Sequence, residues 1–251
     1  MVVKPVVQLV FEQLYDAGLR EFCYVVGRGK RNIEDHFTPD AQCIRTLENL
    51  GKNGQASDLE SFYGKLDSSR IMWVNQSEAK GFGNAVLTAQ PFVQNESCLV
   101  HAGDSIIISK DMDYLKRLIE AFERFNADAA FLVLEIANPT QYGIVEGEEV
   151  EPGIIKVKSV VEKPEKPKTE WAIMAMYAFQ SVIFKAIETT EPGKNGEIQL
   201  TDAIQKLIDW NLKVYAVKLD SSHAHLDIGS PERYWQALDL SYKQFCKRPT
   251  P

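Results

Sequence analysis

The feature that most constrains this chain is Cys98-Leu99-Val100-His101-Ala102-Gly103-Asp104-Ser105, an apolar run that enters a small-residue turn and stops at one carboxylate. Ligands of open α/β sheets collect outside the carboxyl ends of parallel strands. A buried strand that delivers Asp104 to such an edge places a hard oxygen ligand where phosphates and Mg²⁺ would sit. The same Asp could instead cap the next turn. The choice between the two depends on the rest of the chain.

Strand-like and helix-like segments alternate through the first half. Helical spacing of Val6, Val7, Val10 and Leu14 ends at Gly18, and Phe22–Val26 follows as a short buried strand before Gly27 and Gly29. Residues 40–66 are polar with helix-compatible spacing. Ile71–Val74 is the next strand, and it leads into a Gly-x-Gly at Gly81 and Gly83. Glycines at a strand-to-helix junction let backbone amides approach a ligand, although tight packing selects them too. A helix is expected from Met112 to Phe125 and a further strand at Ala129–Leu134. This alternation predicts an α/β fold with a doubly wound, mostly parallel sheet.

From Gln141 the texture changes. Tyr142–Val145, Ile154–Val157 and Ser159–Val161 read as antiparallel ribbons that end at Glu162-Lys163-Pro164. Trp171–Phe179 is a strand, residues 199–210 a helix and Lys213–Leu219 a strand. Asp227 then stands just before a last helix, Glu232–Phe245.

Composition excludes several classes. A chain of 251 residues with 45% hydrophobic content buries a core without disulfides. Its net charge of −7 argues against a nucleic-acid partner, and no apolar run reaches the length of a membrane span. Cys23, Cys43, Cys98 and Cys246 are dispersed, as in a reducing cytoplasm.

Five stretches, in order, carry a resemblance: Gly27–Phe37, Ala79–Val86, Tyr142–Val145, Val161–Pro164 and Gly196–Ile204. Together they resemble the bacterial and archaeal UTP–glucose-1-phosphate uridylyltransferases, of the sugar-phosphate nucleotidyltransferases. The resemblance implies a Rossmann-like nucleotide-diphospho-sugar transferase fold over residues 1–251 as one domain. It implies uridylyl transfer from UTP to glucose-1-phosphate, which yields UDP-glucose and pyrophosphate. Gln76 and Gly81 would read the uracil edge. Asp104 and Asp227 would hold Mg²⁺, which makes them catalytic with Lys163, the cation facing the sugar's phosphate. Gly143, Glu162, Lys163 and Ala172 would form the sugar pocket. Expected partners are these substrates and further copies of the chain in a homo-oligomer. The alternatives are a non-catalytic sugar-nucleotide-binding subunit and an enzyme for another sugar or a thymidylyl donor.

The pattern also has departures. Such proteins begin with a strand and a Gly-x-Gly-Thr-Arg loop that wraps the triphosphate, whereas only Met1–Lys4 precede the first helix here. Ser77 and Ala175 replace usual glycines. The expectation is an N-terminally incomplete domain with impaired turnover. The strands at Phe22–Val26 and Leu99–Val100 would then close on each other or be paired by another chain.

Overall fold

The computed structural model describes residues 4–109, 113–193, 196–220 and 223–245, with the backbone alone for Asp227, Leu240, Gln244 and Phe245. The chain divides into two compact units, Phe11–Ala79 and Met1–Val10 with Lys80–Pro251.

In the smaller unit, helix α1 (Val6–Asp16), which starts in the larger one, ends at Gly18. That residue has a φ of +103° and its N–H donates to Tyr15 O. Strand β1 (Glu21–Val26) pairs in parallel with β2 (Arg70–Asn75). Between them run α2 (Arg31–His36), α3 (Ala41–Asn49) and α4 (Asn53–Asp67). Asp40 caps α3, its carboxylate accepting from the Gln42 and Cys43 amides at 2.8 and 3.2 Å. In-register Tyr24 and Trp73 stack with centroids 4.6 Å apart, and both meet Phe37. Phe11, Phe22 and Phe62 complete an aromatic core.

The larger unit begins with α5 (Phe82–Thr88), α6 (Gln90–Val93), β3 (Cys98–His101), β4 (Ser105–Ile108) and α7 (Asp113–Arg124). Met112, at the expected start of α7, lies outside the described residues. Strands β5 (Ala129–Glu135), β6 (Gly143–Glu151), β7 (Ile154–Glu162) and β8 (Trp171–Phe179) follow. Then come α8 (Val182–Glu188), α9 (Leu200–Asp209), β9 (Val214–Lys218), β10 (Ala224–Asp227) and α10 (Pro231–Phe245). The main sheet has the order β3-β8-β5-β9-β7-β6, and one more pairing, Ile144 with Ala172, links β6 back to β8.

The core forms on β5, where Ala129 through Val133 are fully buried. Ala129, Phe131 and Val133 face residues of α8 and α9, among them Phe184, Ile204 and Leu207. The pleat sends Ala130 and Leu132 to the opposite face, and α7 packs on β5, β8 and β9. A strand covered on both faces needs the unbroken apolar run that this segment has.

The α/β class and the antiparallel ribbons are as expected. The expectation of a mostly parallel sheet needs correction, because polarity in the main sheet is mixed: β5–β9 is parallel, whereas β3–β8, β5–β8, β6–β7 and β7–β9 are antiparallel. Alternating elements imply parallel pairs only where a helix joins sheet neighbours. Here β8 enters between β3 and β5 and runs against both. Two anticipated short strands, Ile154–Val157 and Ser159–Val161, are one strand, β7, and the register shift opposite Glu146 and Gly147 absorbs Lys158. The anticipated closure of β1 on β3 does not occur among the described residues. β1 pairs with β2 and β3 with β8, in separate sheets. Among the described residues no helix is long and apolar enough to cross a membrane.

Candidate functional site

Neighbouring strands of the larger unit bring together residues that the sequence pattern assigns to a sugar pocket. Gly143 opens β6 and pairs with Glu162, the last residue of β7, while Ile144 pairs with Ala172 of β8. Gly143 has no side chain to spare: a Cβ there would lie 2.9 Å from Thr201 Oγ1 and 3.2 Å from Glu162 Oε2. Ala172 is fully buried. Lys163 leaves β7 with a φ of +42°, a left-handed conformation that costs a non-glycine residue on the order of 1–2 kcal/mol. Its amide donates to Tyr142 O at 3.1 Å, and its ammonium stands 3.5 Å from Glu162 Oε1. The strained turn sets a half-exposed cation beside a carboxylate that is mostly buried.

Helix α9 supplies the other side of Glu162. Thr201, in its first turn, donates its hydroxyl to Glu162 Oε2 at 2.7 Å. Burial, and then the charge of Glu162, push the neighbouring Asp202 carboxyl above its usual range. Sequence reasoning assigned Thr201 no role. The signal was present in the Gly196–Ile204 run, but nothing local says which strand a helical threonine will face.

The Asp104 turn lies beyond β3 in the same unit. The Ala102 amide donates to Ala175 O at 3.0 Å, which docks the turn on β8. Strands β4 and β10 form an antiparallel ribbon with Asp227 opposite Ser105, and the Ile228 amide donates to Asp104 O at 2.9 Å. The backbones of Asp104 and Asp227 therefore adjoin, although 122 residues separate them in sequence. Asp104 is exposed; the Asp227 side chain lies outside the described residues. Burial lowers the proton affinity of nearby His101, whose Nδ1 is 2.7 Å from Ala102 O.

At the other end of this ribbon, buried His223 places Nδ1 2.9 Å from Asp220 and Nε2 2.9 Å from Asp113. Ligand atoms of the three residues lie within 4.8 Å of one another, a spacing that could hold a metal. Their mutual hydrogen bonds already explain the cluster. The bond to His223 holds the Asp113 carboxyl below its usual range.

The nucleotide-side candidates fall in different units. Gln76 follows β2 in the smaller unit, and its amide donates to Val26 O at 2.8 Å. Gly81 belongs to the larger unit and caps α5 with a φ of +93°, a conformation that favours glycine. A Cβ on Gly81 would lie 2.9 Å from Ile198 O, and one on Gly83 would lie 2.7 Å from the same atom. The Gly83 amide donates to Ile198 O, and the Ile198 amide to Lys80 O. The glycine pair thus has a packing reason: it lets two backbone segments dock directly. One cavity of about 570 Å³ is lined by Arg117, Glu135, Glu149, Lys218 and Asp220, among others, and none of the sequence-derived site residues lines it.

The Nucleotidyl transferase family model matches residues 1–244. A UTP–glucose-1-phosphate uridylyltransferase of Pseudomonas aeruginosa is 33% identical over 250 residues, covering 97% of this chain and 87% of the relative. A putative UTP–glucose-1-phosphate uridylyltransferase of Methanocaldococcus jannaschii is 36% identical over 258 residues, covering 97% and 88%. A crystal structure of a UDP-glucose pyrophosphorylase complexed with UDP-glucose superposes with a TM-score of 0.86 at 29% identity, over 97% of this chain and 89% of that one.

Proposed function

This chain belongs to the nucleotidyl transferase family, and from that premise we propose that it transfers a uridylyl group from UTP to glucose-1-phosphate, giving UDP-glucose and pyrophosphate. The observation that carries the sugar side is the set Gly143, Glu162 and Ala172 on adjacent strands, with Lys163 just beyond β7 and 3.5 Å from Glu162.

The second pKa of a phosphate monoester is about 6, so the sugar phosphate is mostly dianionic at neutral pH. Its oxygen attacks the α-phosphorus of UTP without a general base. A P–O bond forms there while the bond to the β-phosphate bridging oxygen breaks, and its electron pair leaves with pyrophosphate. Catalysis is then positioning and charge neutralisation. Glu162 accepts hydrogen bonds from sugar hydroxyls, and the glycine at 143 leaves room for the Glu162 carboxylate and the Thr201 hydroxyl. Lys163 faces the sugar's phosphate and offsets its charge. Within the larger unit, Gly81 offers backbone chemistry suited to a uracil edge.

Asp104 is an exposed hard-oxygen donor whose backbone adjoins that of Asp227, a donor set that suits Mg²⁺. These two residues would hold the ion, which supplies charge neutralisation on the phosphates. The free thiols of Cys23, Cys43 and Cys98 suit a cytoplasmic setting. Exposed Trp235 and Tyr242 on α10 support contact between copies in a homo-oligomer.

Calorimetry with UDP-glucose and UDP in Mg²⁺, alongside pyrophosphate release from UTP and glucose-1-phosphate, tests this reading. Tighter binding of UDP-glucose than of UDP is expected. No preference for UDP-glucose combined with no turnover would overturn it.

A further inference from the structure

We infer that Thr201 is a positioning residue for sugar recognition, its hydroxyl fixing the Glu162 carboxylate in the orientation that receives the sugar. The inference rests on the reading of Glu162 as the sugar's acceptor.

Thr201 is 6% exposed and sits in the first turn of α9. A hydroxyl has a single proton to donate. Threonine hydroxyls within helices commonly donate to a carbonyl one turn back. Here the proton goes across to Glu162 Oε2, at 2.7 Å, from a helix to a strand 39 positions away in sequence. The β-branched side chain has few χ1 states, so the donor is held in direction as well as in distance.

The surroundings show why Glu162 needs this anchor. The carboxyl of Asp202, the next residue of α9, is raised first by burial and second by the like charge of Glu162, a mutual repulsion. Without the hydroxyl, that repulsion favours rotation of the Glu162 carboxylate away from α9. Gly143 makes the arrangement possible, because any Cβ there would enter the space of both Thr201 Oγ1 and Glu162 Oε2. With Oε2 held by Thr201, Oε1 is left toward Lys163, at 3.5 Å, with lone pairs available to sugar hydroxyls. The geometry thus assigns one carboxylate oxygen to the protein and the other to the ligand.

The test is equilibrium binding of UDP-glucose and of UDP to the full chain in Mg²⁺, with the ratio of the two dissociation constants as readout. Thr201→Val and Thr201→Ala are expected to lower the preference for UDP-glucose about 10-fold, as loss of a hydrogen bond to a charged group implies. The UDP constant should stay within about twofold, because the hydroxyl donates its proton to the sugar's acceptor. Thr201→Ser, which keeps the donor, should restore most of the preference; the Ser and Ala variants differ only in the hydroxyl, so the comparison survives if the Val variant folds poorly. In a Glu162→Ala background the Thr201 substitutions should change the ratio by less than about twofold, since positioning acts through Glu162. A native preference retained in Thr201→Ala, or an equal loss in the Glu162→Ala background, would overturn the inference alone. Absence of any preference in the unsubstituted chain would overturn the sugar reading of Glu162 and the inference with it.

Discussion

The two units solve the problem of burying a parallel strand pair differently. In the larger unit, parallel β5 and β9 lie in the interior of a six-stranded sheet, and β5 is covered by helices on both faces. In the smaller unit, parallel β1 and β2 form a two-stranded sheet, packed on one face by Phe11 and Phe37, which Phe62 backs. Its other face keeps Met72 45% exposed. Two strands cannot share their burial among many neighbours, so a few large aromatic rings carry it. The comparison teaches that the same strand polarity rests on distributed packing in one unit and on single side chains in the other.

The largest expected effects come from truncating each core. Phe131→Ala in β5 and Phe62→Ala in α4 each remove a fully buried ring, at about 3–5 kcal/mol. Hydrogen exchange should distinguish them: Phe62→Ala should expose amides within residues 11–79 and leave β5 protected. Equal loss of protection in β5 would break the contrast between the units.

Glycines sharpen the comparison at a lower cost. Gly83→Ala forces a Cβ to 2.7 Å from a backbone oxygen of Ile198, so one segment must shift, at about 1–3 kcal/mol. Gly18→Ala in the smaller unit meets open space and is opposed only by its φ of +103°. Its cost should be about 1 kcal/mol. Urea titrations that rank Gly18→Ala above Gly83→Ala would show that the backbone docking at Ile198 yields easily.

The smallest effect is a pH dependence confined to the larger unit. The folded-state pKa of Asp113 lies below its unfolded value, chiefly because it is bonded to His223. Its stabilisation is therefore present above the ordinary carboxylate range and is lost as pH falls through the depressed folded value. Asp113→Ala should lower the Tm slightly at pH 7, and its melting curve should converge on that of the unsubstituted chain in acid. A difference in Tm independent of pH would assign the loss to packing instead.

Much of this could be read from residues alone. The run Ala129–Leu134 announces a strand covered on both faces, because no polar side chain interrupts it. Gly18 marks a helix end, and the family stretches single out Gly143, Glu162 and Ala172, which lie on the paired strands β6, β7 and β8. The ribbon of β4 with β10 was not legible. Three consecutive isoleucines after Ser105 suit several conformations, and their partner lies more than a hundred residues downstream.

The sequence by itself determined what depends on neighbours along the chain: the element types, the apolar faces, the turns that need glycine and the motif order that identifies the family. Tertiary structure alone decided the polarity of β8 between β3 and β5, the docking of Gly81 and Gly83 on Ile198, and the donation from Thr201 to Glu162. Each of these joins groups that are remote in sequence, and hydrogen bonds and van der Waals contacts act over only a few ångströms. Such groups acquire their roles only when folding brings them within that range.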